Sequence, residues 1–184
     1  MRIIGGNLKG KKLFSPPGKR VRPTADRLRE SIFNILSDKV SEAVVLDLFS
    51  GTGAFGIESL SRGAKHAVFV EKSGEALHVI QRNILASSLE KQAQAVKWDI
   101  AKNLNCLRRI PFRYDLVFMD PPYNRDIIQK GLRNLYHSNC LEREACIVVE
   151  HSALEPVREN AVEFAVFDQR KYGKTLVTFL TNVL

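Results

Sequence analysis

No acidic residue occurs in the first 25 positions of this chain, although seven basic ones do: Arg2, Lys9, Lys11, Lys12, Lys19, Arg20 and Arg22. A segment of one charge sign attracts polyanions, nucleic acid first among them. Over 184 residues, Lys and Arg number 28 against 20 Asp and Glu, a formal net charge of +8. Cysteine is scarce: three, at positions 106, 140 and 146, with no C-x-x-C pair. So few, oddly numbered and scattered, they argue against a disulfide framework or a zinc site and suit reduced thiols in a cytoplasmic protein. No apolar run approaches the roughly 18 residues of a membrane span. The opening Met1-Arg2-Ile3-Ile4-Gly5-Gly6 also lacks the apolar core of an export signal. These absences lead us to expect a cytoplasmic protein with no membrane partner and no metal. The length suits one domain, 1–184, with a basic N-terminal extension at 1–38 and a core at 43–184.

Residues 2–14 alternate loosely around Gly5-Gly6 and Gly10, the pattern of a small hairpin, which Ser15-Pro16-Pro17-Gly18 ends. Thr24 reads as an N-cap for a helix over 25–37 with Leu28, Ile32 and Ile35 or Leu36 on one face. From residue 43 apolar strands and helices alternate. Strands are predicted at 43–47, 67–71, 93–98, 114–119 and 145–150. Helices are predicted at 54–62, after Ser73, and near 125–136; strands at 162–168 and 174–181 follow, joined at Tyr172-Gly173. This order implies an α/β, doubly wound, mostly parallel sheet whose edge is finished by an antiparallel C-terminal hairpin.

Gly51-Thr52-Gly53-Ala54-Phe55-Gly56 is a G-x-G-x-x-G between a strand and a helix, and Glu71 lies 20 residues beyond Gly51. That spacing fits a dinucleotide, with the acid on a ribose hydroxyl. Asp47 argues for a different ligand. A carboxylate four residues before Gly51 would crowd a pyrophosphate but accept hydrogen bonds from an ammonium group, directly or through water. The segment Asp47-Leu48-Phe49-Ser50-Gly51-Thr52-Gly53 resembles the first motif of class I S-adenosylmethionine-dependent methyltransferases. That resemblance implies a Rossmann-like sheet, Glu71 as the ribose-binding acid, and Trp98-Asp99-Ile100 as the adenine segment. In the latter, Asp99 accepts from the adenine amine and Ile100 packs on the ring. Phe49 and Lys72 lie in the same matching motifs.

Asp120-Pro121-Pro122-Tyr123 follows the predicted strand 114–119 and suits an exocyclic amine on a nucleobase. Such a nitrogen is a poor nucleophile, because its lone pair is delocalised into the ring. Two acceptors on one side, the Asp120 carboxylate and the Pro121 carbonyl, each take one N–H and turn the lone pair toward a methyl donor. Pro121 and Pro122 fix the backbone that carries these acceptors. Tyr123 offers a face on which the base stacks. In a folded nucleic acid the base must first leave its stack.

The whole chain resembles the bacterial 16S ribosomal RNA guanine-N2 methyltransferase family, the RsmD type. The resemblance runs through Arg2-Ile3-Ile4-Gly5-Gly6, Arg22-Pro23-Thr24 with Asp26-Arg27 and Arg29-Glu30, the Asp47–Gly53 motif, Phe69-Val70-Glu71-Lys72, Asp120-Pro121-Pro122-Tyr123, and Tyr172-Gly173 with Thr175. It implies S-adenosyl-L-methionine as cofactor and methylation of one guanine in small-subunit RNA, within an assembled or assembling 30S particle. Arg22 and Thr24 are then candidates for closing over the methionine end and the target base. Lys9, Lys11 and Lys12 are candidates for docking RNA phosphates. Two other readings stay open. A DNA adenine-N6 or cytosine-N4 methyltransferase shares Asp-Pro-Pro-Tyr, but only 61 residues follow Tyr123 to hold a recognition domain. A non-catalytic RNA-binding assembly factor would use the basic arm alone.

Overall fold

The computed structural model describes residues 1–16, 23–123, 125–157 and 164–183. The apolar runs form β1 (Val44–Leu48), β2 (His66–Glu71), β3 (Ala93–Lys97), β4 (Tyr114–Met119), β5 (Leu141–Ser152), β6 (Phe164–Tyr172) and β7 (Thr175–Asn182). They make one seven-stranded sheet in the order β3-β2-β1-β4-β5-β7-β6. Strands β1 to β5 run parallel to one another. The β5–β7 and β7–β6 pairs are antiparallel. The helices are α1 (Pro23–Leu36), α2 (Ala54–Ser61), α3 (Gly74–Ala86) and α4 (Ile127–His137).

Strand periodicity divides the core into two layers. In β1, Val45 packs with buried residues of α1, α2 and α3, whereas Leu46 and Leu48 pack with those of α4. In the first layer, phenylalanines from three elements meet. Phe55 of α2 stacks on Phe118 of β4 at 4.8 Å between centroids, and Phe33 of α1 lies 5.5 Å from Phe118. Ring pairs of this kind add about 0.5–1.5 kcal/mol beyond their buried area. Leu28, Ile32 and Leu36 are buried, so the stripe read on α1 is its packed face.

The N-terminal hairpin is shallow. Its ladder is a single antiparallel bridge between Arg2 and Lys12, supported by Ile3 N–H to the Lys11 carbonyl (2.9 Å) and Leu13 N–H to the Met1 carbonyl (3.0 Å). Burial of Ile3 and Leu13 seats it on the first layer. Glu58 of α2, fully buried, then ties it down by accepting from Ile4 N–H (2.8 Å) and Gly5 N–H (2.7 Å). Arg62 (2.9 Å) and Arg29 (3.6 Å) balance the Glu58 charge. A buried carboxylate is tolerated only with such partners.

Several boundaries differ from the sequence reading. Helix α1 begins at Pro23, which places Thr24 inside the first turn instead of at the cap. Proline at the first helical position explains the shift, since its missing N–H is not needed there. Arg22 lies outside the described residues together with Lys19 and Arg20. Strand β5 starts at Leu141, not 145, because Leu141 pairs with Tyr114 across a register shift; Glu144, at φ 60°, lies in this stretch. The polar Glu142-Arg143-Glu144 masked that extension. A short 3-10 helix at Asn105–Arg109 went unread, as did one at Ser37–Lys39.

Candidate active site

Strands β1 and β4 are neighbours, but β1 connects toward β2 on one side while β4 connects toward β5 on the other. The loops after these two strands therefore diverge and open a crevice at the carboxyl edge of the sheet, the usual ligand position in such folds. The crevice holds a cavity of about 940 Å³ and an adjoining one of about 230 Å³. Pro16, Phe49, Gly51, Asp120 and Glu150 stand in the walls of both.

The glycine loop is shaped by backbone that most side chains avoid. Gly51 and Gly53 have φ of 57° and 77°, and Phe49 between strand and loop has φ 59°. Strain at a non-glycine residue persists where surrounding structure enforces it, often at ligand sites. A Cβ on Gly56 would lie 2.3 Å from the Phe69 ring, so the third glycine serves close helix–strand packing. Glu71, at the end of β2, holds the loop with both oxygens: Oε2 accepts from Gly51 N–H (3.0 Å) and Oε1 from Ser73 N–H (2.8 Å). Asp47 is buried and its Oδ2 accepts from Gly56 N–H (3.0 Å). Burial pushes its carboxyl up to about 8, the Glu71 charge adds to this, and the Gly56 N–H opposes it. Asp47 lines the smaller cavity, beside Arg29 and Met1.

After β3, Asp99 and Ile100 line the larger cavity. Lys72 reaches Asp99 at 2.9 Å, and Ala101 N–H donates to it at 3.2 Å. The Lys72 hydrogen bond is the main reason the Asp99 carboxyl sits below its ordinary range. Ile100 is almost wholly buried, and its carbonyl accepts from Asn134 Nδ2 (2.8 Å), which fixes the segment to α4.

After β4, Asp120, Pro121, Pro122 and Tyr123 all line the larger cavity. The Tyr123 hydroxyl donates to Glu150 Oε1 (2.8 Å) and lies 3.4 Å from Thr175 Oγ1. The tyrosine is thus pinned by its polar end while 39% of it stays exposed. Burial and the Glu150 charge raise its hydroxyl pKa well above the usual range. Burial also raises the Glu150 carboxyl, against the pull of the Tyr123 hydrogen bond.

Phe49, Gly51, Glu71, Lys72, Asp99, Ile100 and residues 120–123 are therefore brought together around one space. Gly53 instead caps α2, where a Cβ would meet the Phe69 ring at 3.2 Å. Lys9 and Lys12 are exposed and Lys11 half-buried on the hairpin; none stands in the walls of the two cavities. Three residues escaped the sequence reading. Glu150 is a charged end to the apolar run Cys146-Ile147-Val148-Val149, and that contrast was its only signal. Pro16 was read only as a chain breaker. Asn83 of α3 is almost wholly buried and bonds the Phe14 N–H (2.7 Å), the Phe14 carbonyl (3.1 Å) and the Thr52 carbonyl (2.9 Å). It clips the segment leaving the hairpin to the glycine loop. Among the described residues no His, Cys, Asp and Glu cluster could hold a metal, and no helix is long and apolar enough to cross a membrane.

The chain is similar to known proteins in sequence and fold. Ribosomal RNA small subunit methyltransferase D of Escherichia coli K12 is 35% identical over 150 residues, covering 82% of this chain and 74% of its own. The solved structure of yhhF from Escherichia coli superposes with a TM-score of 0.84 at 30% identity, covering 100% of this chain and 98% of the other. SMU.776, solved in complex with SAH, matches at a TM-score of 0.65 and 17% identity over 88% of this chain and 50% of its own, a likeness of fold. The family model described as conserved hypothetical protein 95 matches residues 1–181. The chain belongs to that family, which is the RsmD family of ribosomal RNA small subunit methyltransferases.

Proposed function

We propose that this protein transfers a methyl group from S-adenosylmethionine to the exocyclic N2 amine of a guanine in small-subunit ribosomal RNA. Its family membership makes it an S-adenosylmethionine-dependent rRNA methyltransferase. The guanine amine, the assembled or assembling 30S particle as substrate and the cytoplasmic location are our reading. The observation that carries it is the placement of Asp120-Pro121-Pro122-Tyr123 across one cavity from Glu71, Asp99 and Ile100.

The donor set suits the cofactor. Glu71 has acceptor capacity left for ribose hydroxyls after its two backbone bonds, Asp99 can accept from an adenine amine, and buried Ile100 gives an apolar wall. Asp47, in the adjoining cavity wall, suits the methionine ammonium. Bound there, S-adenosylmethionine supplies an electrophilic methyl group on a sulfonium. Asp120 and the Pro121 carbonyl take the two amine hydrogens and aim the nitrogen lone pair at it. Tyr123, its hydroxyl held by Glu150, presents its ring to the flipped base. As the N–C bond forms the methyl–sulfur bond would break, its electron pair staying on sulfur; the nitrogen then carries an extra positive charge and must lose one proton, which the Asp120 carboxylate is suited to receive.

Methyl transfer from labelled cofactor to small subunits from cells lacking this protein, followed by nucleoside analysis, tests the reading. N2-methylguanosine is the expected product. Label on adenine, on cytosine or on no base would overturn it.

A further inference from the structure

Glu150 is not needed to hold the amine, yet it stands beside Asp120 in the walls of both cavities. It lies in β5 directly after Val149, which pairs with Met119 at the end of β4, so the parallel register sets it next to the Asp120 turn. Its Oε1 accepts the Tyr123 hydroxyl. Its Oε2 receives no hydrogen bond and no cation among the described residues. The carboxylate is thus oriented through one oxygen, and among the described residues nothing binds the other.

The edge of guanine that carries the N2 amine presents three hydrogens in a row: two on N2 and one on N1. Asp120 and the Pro121 carbonyl account for the first two. The third needs another acceptor on the same side. Adenine and cytosine offer only two, because the ring nitrogen beside their amine is an unprotonated acceptor. An acceptor facing that nitrogen repels it.

We propose that Glu150 Oε2 accepts the N1–H of the target guanine and so selects guanine against adenine and cytosine. The proposal rests on the guanine-N2 reading and deepens it. Tyr123 then has two tasks. Its ring meets the base, and its hydroxyl, with Thr175 Oγ1 3.4 Å away, fixes the carboxylate that reads the base edge. Partial burial of Glu150, which also raises its pKa, removes competing water, and a desolvated acceptor discriminates more strongly than a solvated one.

The test uses small-subunit RNA with guanine or 2,6-diaminopurine at the methylated position. Diaminopurine keeps the N2 amine but has an acceptor at N1. The wild type is expected to prefer guanine by about 10²-fold or more in kcat/KM, as a site built around one hydrogen does. In Glu150→Gln the amide donates to the diaminopurine N1, and the preference should narrow by at least about tenfold. Glu150→Ala should lose activity on guanine without gaining on diaminopurine. Cofactor affinity, measured by calorimetry, should match wild type in both variants. An unchanged guanine preference in Glu150→Gln overturns the inference while leaving the guanine-N2 reading intact. So does a wild type that uses both bases equally, a result that needs no variant to fold. Absence of N2-methylguanosine from the wild-type reaction overturns the underlying reading, and the inference with it.

Discussion

On the β1–β2–β3 side of the crevice the carboxylates are already bound by the protein itself. Glu71 holds Gly51 and Ser73, Asp47 holds Gly56, and Asp99 holds Lys72 and Ala101. On the β4–β5 side Asp120 is exposed at the wall, and Glu150 binds the Tyr123 hydroxyl through one oxygen. The first side spends its carboxylates on shaping a loop, and the second lines the wall with an exposed Asp120 and with Glu150 held to Tyr123. We assign the first to the cofactor and the second to the acceptor base. Substitutions on the first side should disturb folding and binding together. Those on the second should strike turnover and base choice while the fold stays whole.

The largest effect expected from this contrast is on turnover. Asp120→Ala should reduce methyl transfer by on the order of 10²-fold or more, like removal of one preorganised polar group. Single-turnover kinetics measures it, and calorimetry should show cofactor affinity close to wild type. Wild-type turnover would remove Asp120 from the reaction. Glu71→Ala should behave in the opposite way. It should weaken cofactor binding by about 1–3 kcal/mol, the scale of a lost hydrogen bond to a charged group. It should also lower Tm, because Gly51 and Ser73 lose their acceptor. A variant with lower affinity but unchanged Tm would separate the ligand from the loop.

Asp47 sharpens the same contrast through pH. Its folded carboxyl sits at about 8 against 3.8 for the free group, so between these values the native state holds the proton more tightly than the unfolded chain. Stability is therefore greatest below the lower value and declines as pH rises, by at most about 1.4 kcal/mol per pH unit. Asp47→Asn cannot titrate and can still accept from Gly56, so its thermal stability should vary less between those two pH values. Equal slopes in thermal melts of both proteins would mean that Asp47 is ionised in the fold.

Much of this contrast was legible in the residue order, for reasons that differ by side. The β1–α2–β2 unit announces itself locally: an apolar strand, three glycines at fixed spacing, then an acid at the next strand end. Asp120–Tyr123 does so too, since two prolines after an apolar strand have few other uses. Glu150 did not, because its meaning arises from pairing of β5 with β4 and the reach of Tyr123 across it. Asn83 hid in the same way; its partners Phe14 and Thr52 are 69 and 31 residues away. The hairpin's anchorage through Glu58 joins positions more than 50 apart and was equally unreadable.

The basic arm gives the smallest expected effect. Lys9, Lys11 and Lys12 lie outside both cavity walls, so we propose that they act on RNA phosphates and not on the cofactor. Replacing all three with Gln should weaken RNA binding and flatten its salt dependence by up to about one unit of slope per lost contact. Parallel salt titrations at equal affinity would show that the hairpin does not touch RNA.

The division of the crevice is tested most directly by a crystal structure with S-adenosylhomocysteine and guanosine monophosphate bound together. The account predicts adenosine against Glu71, Asp99 and Ile100, and the guanine N2 between Asp120 and the Pro121 carbonyl. The position of the transferred methyl, next to the sulfur, should lie about 3–3.5 Å from N2, in near-attack range. Adenosine seated at Asp120–Tyr123, or a guanine amine turned away from Asp120, would contradict it.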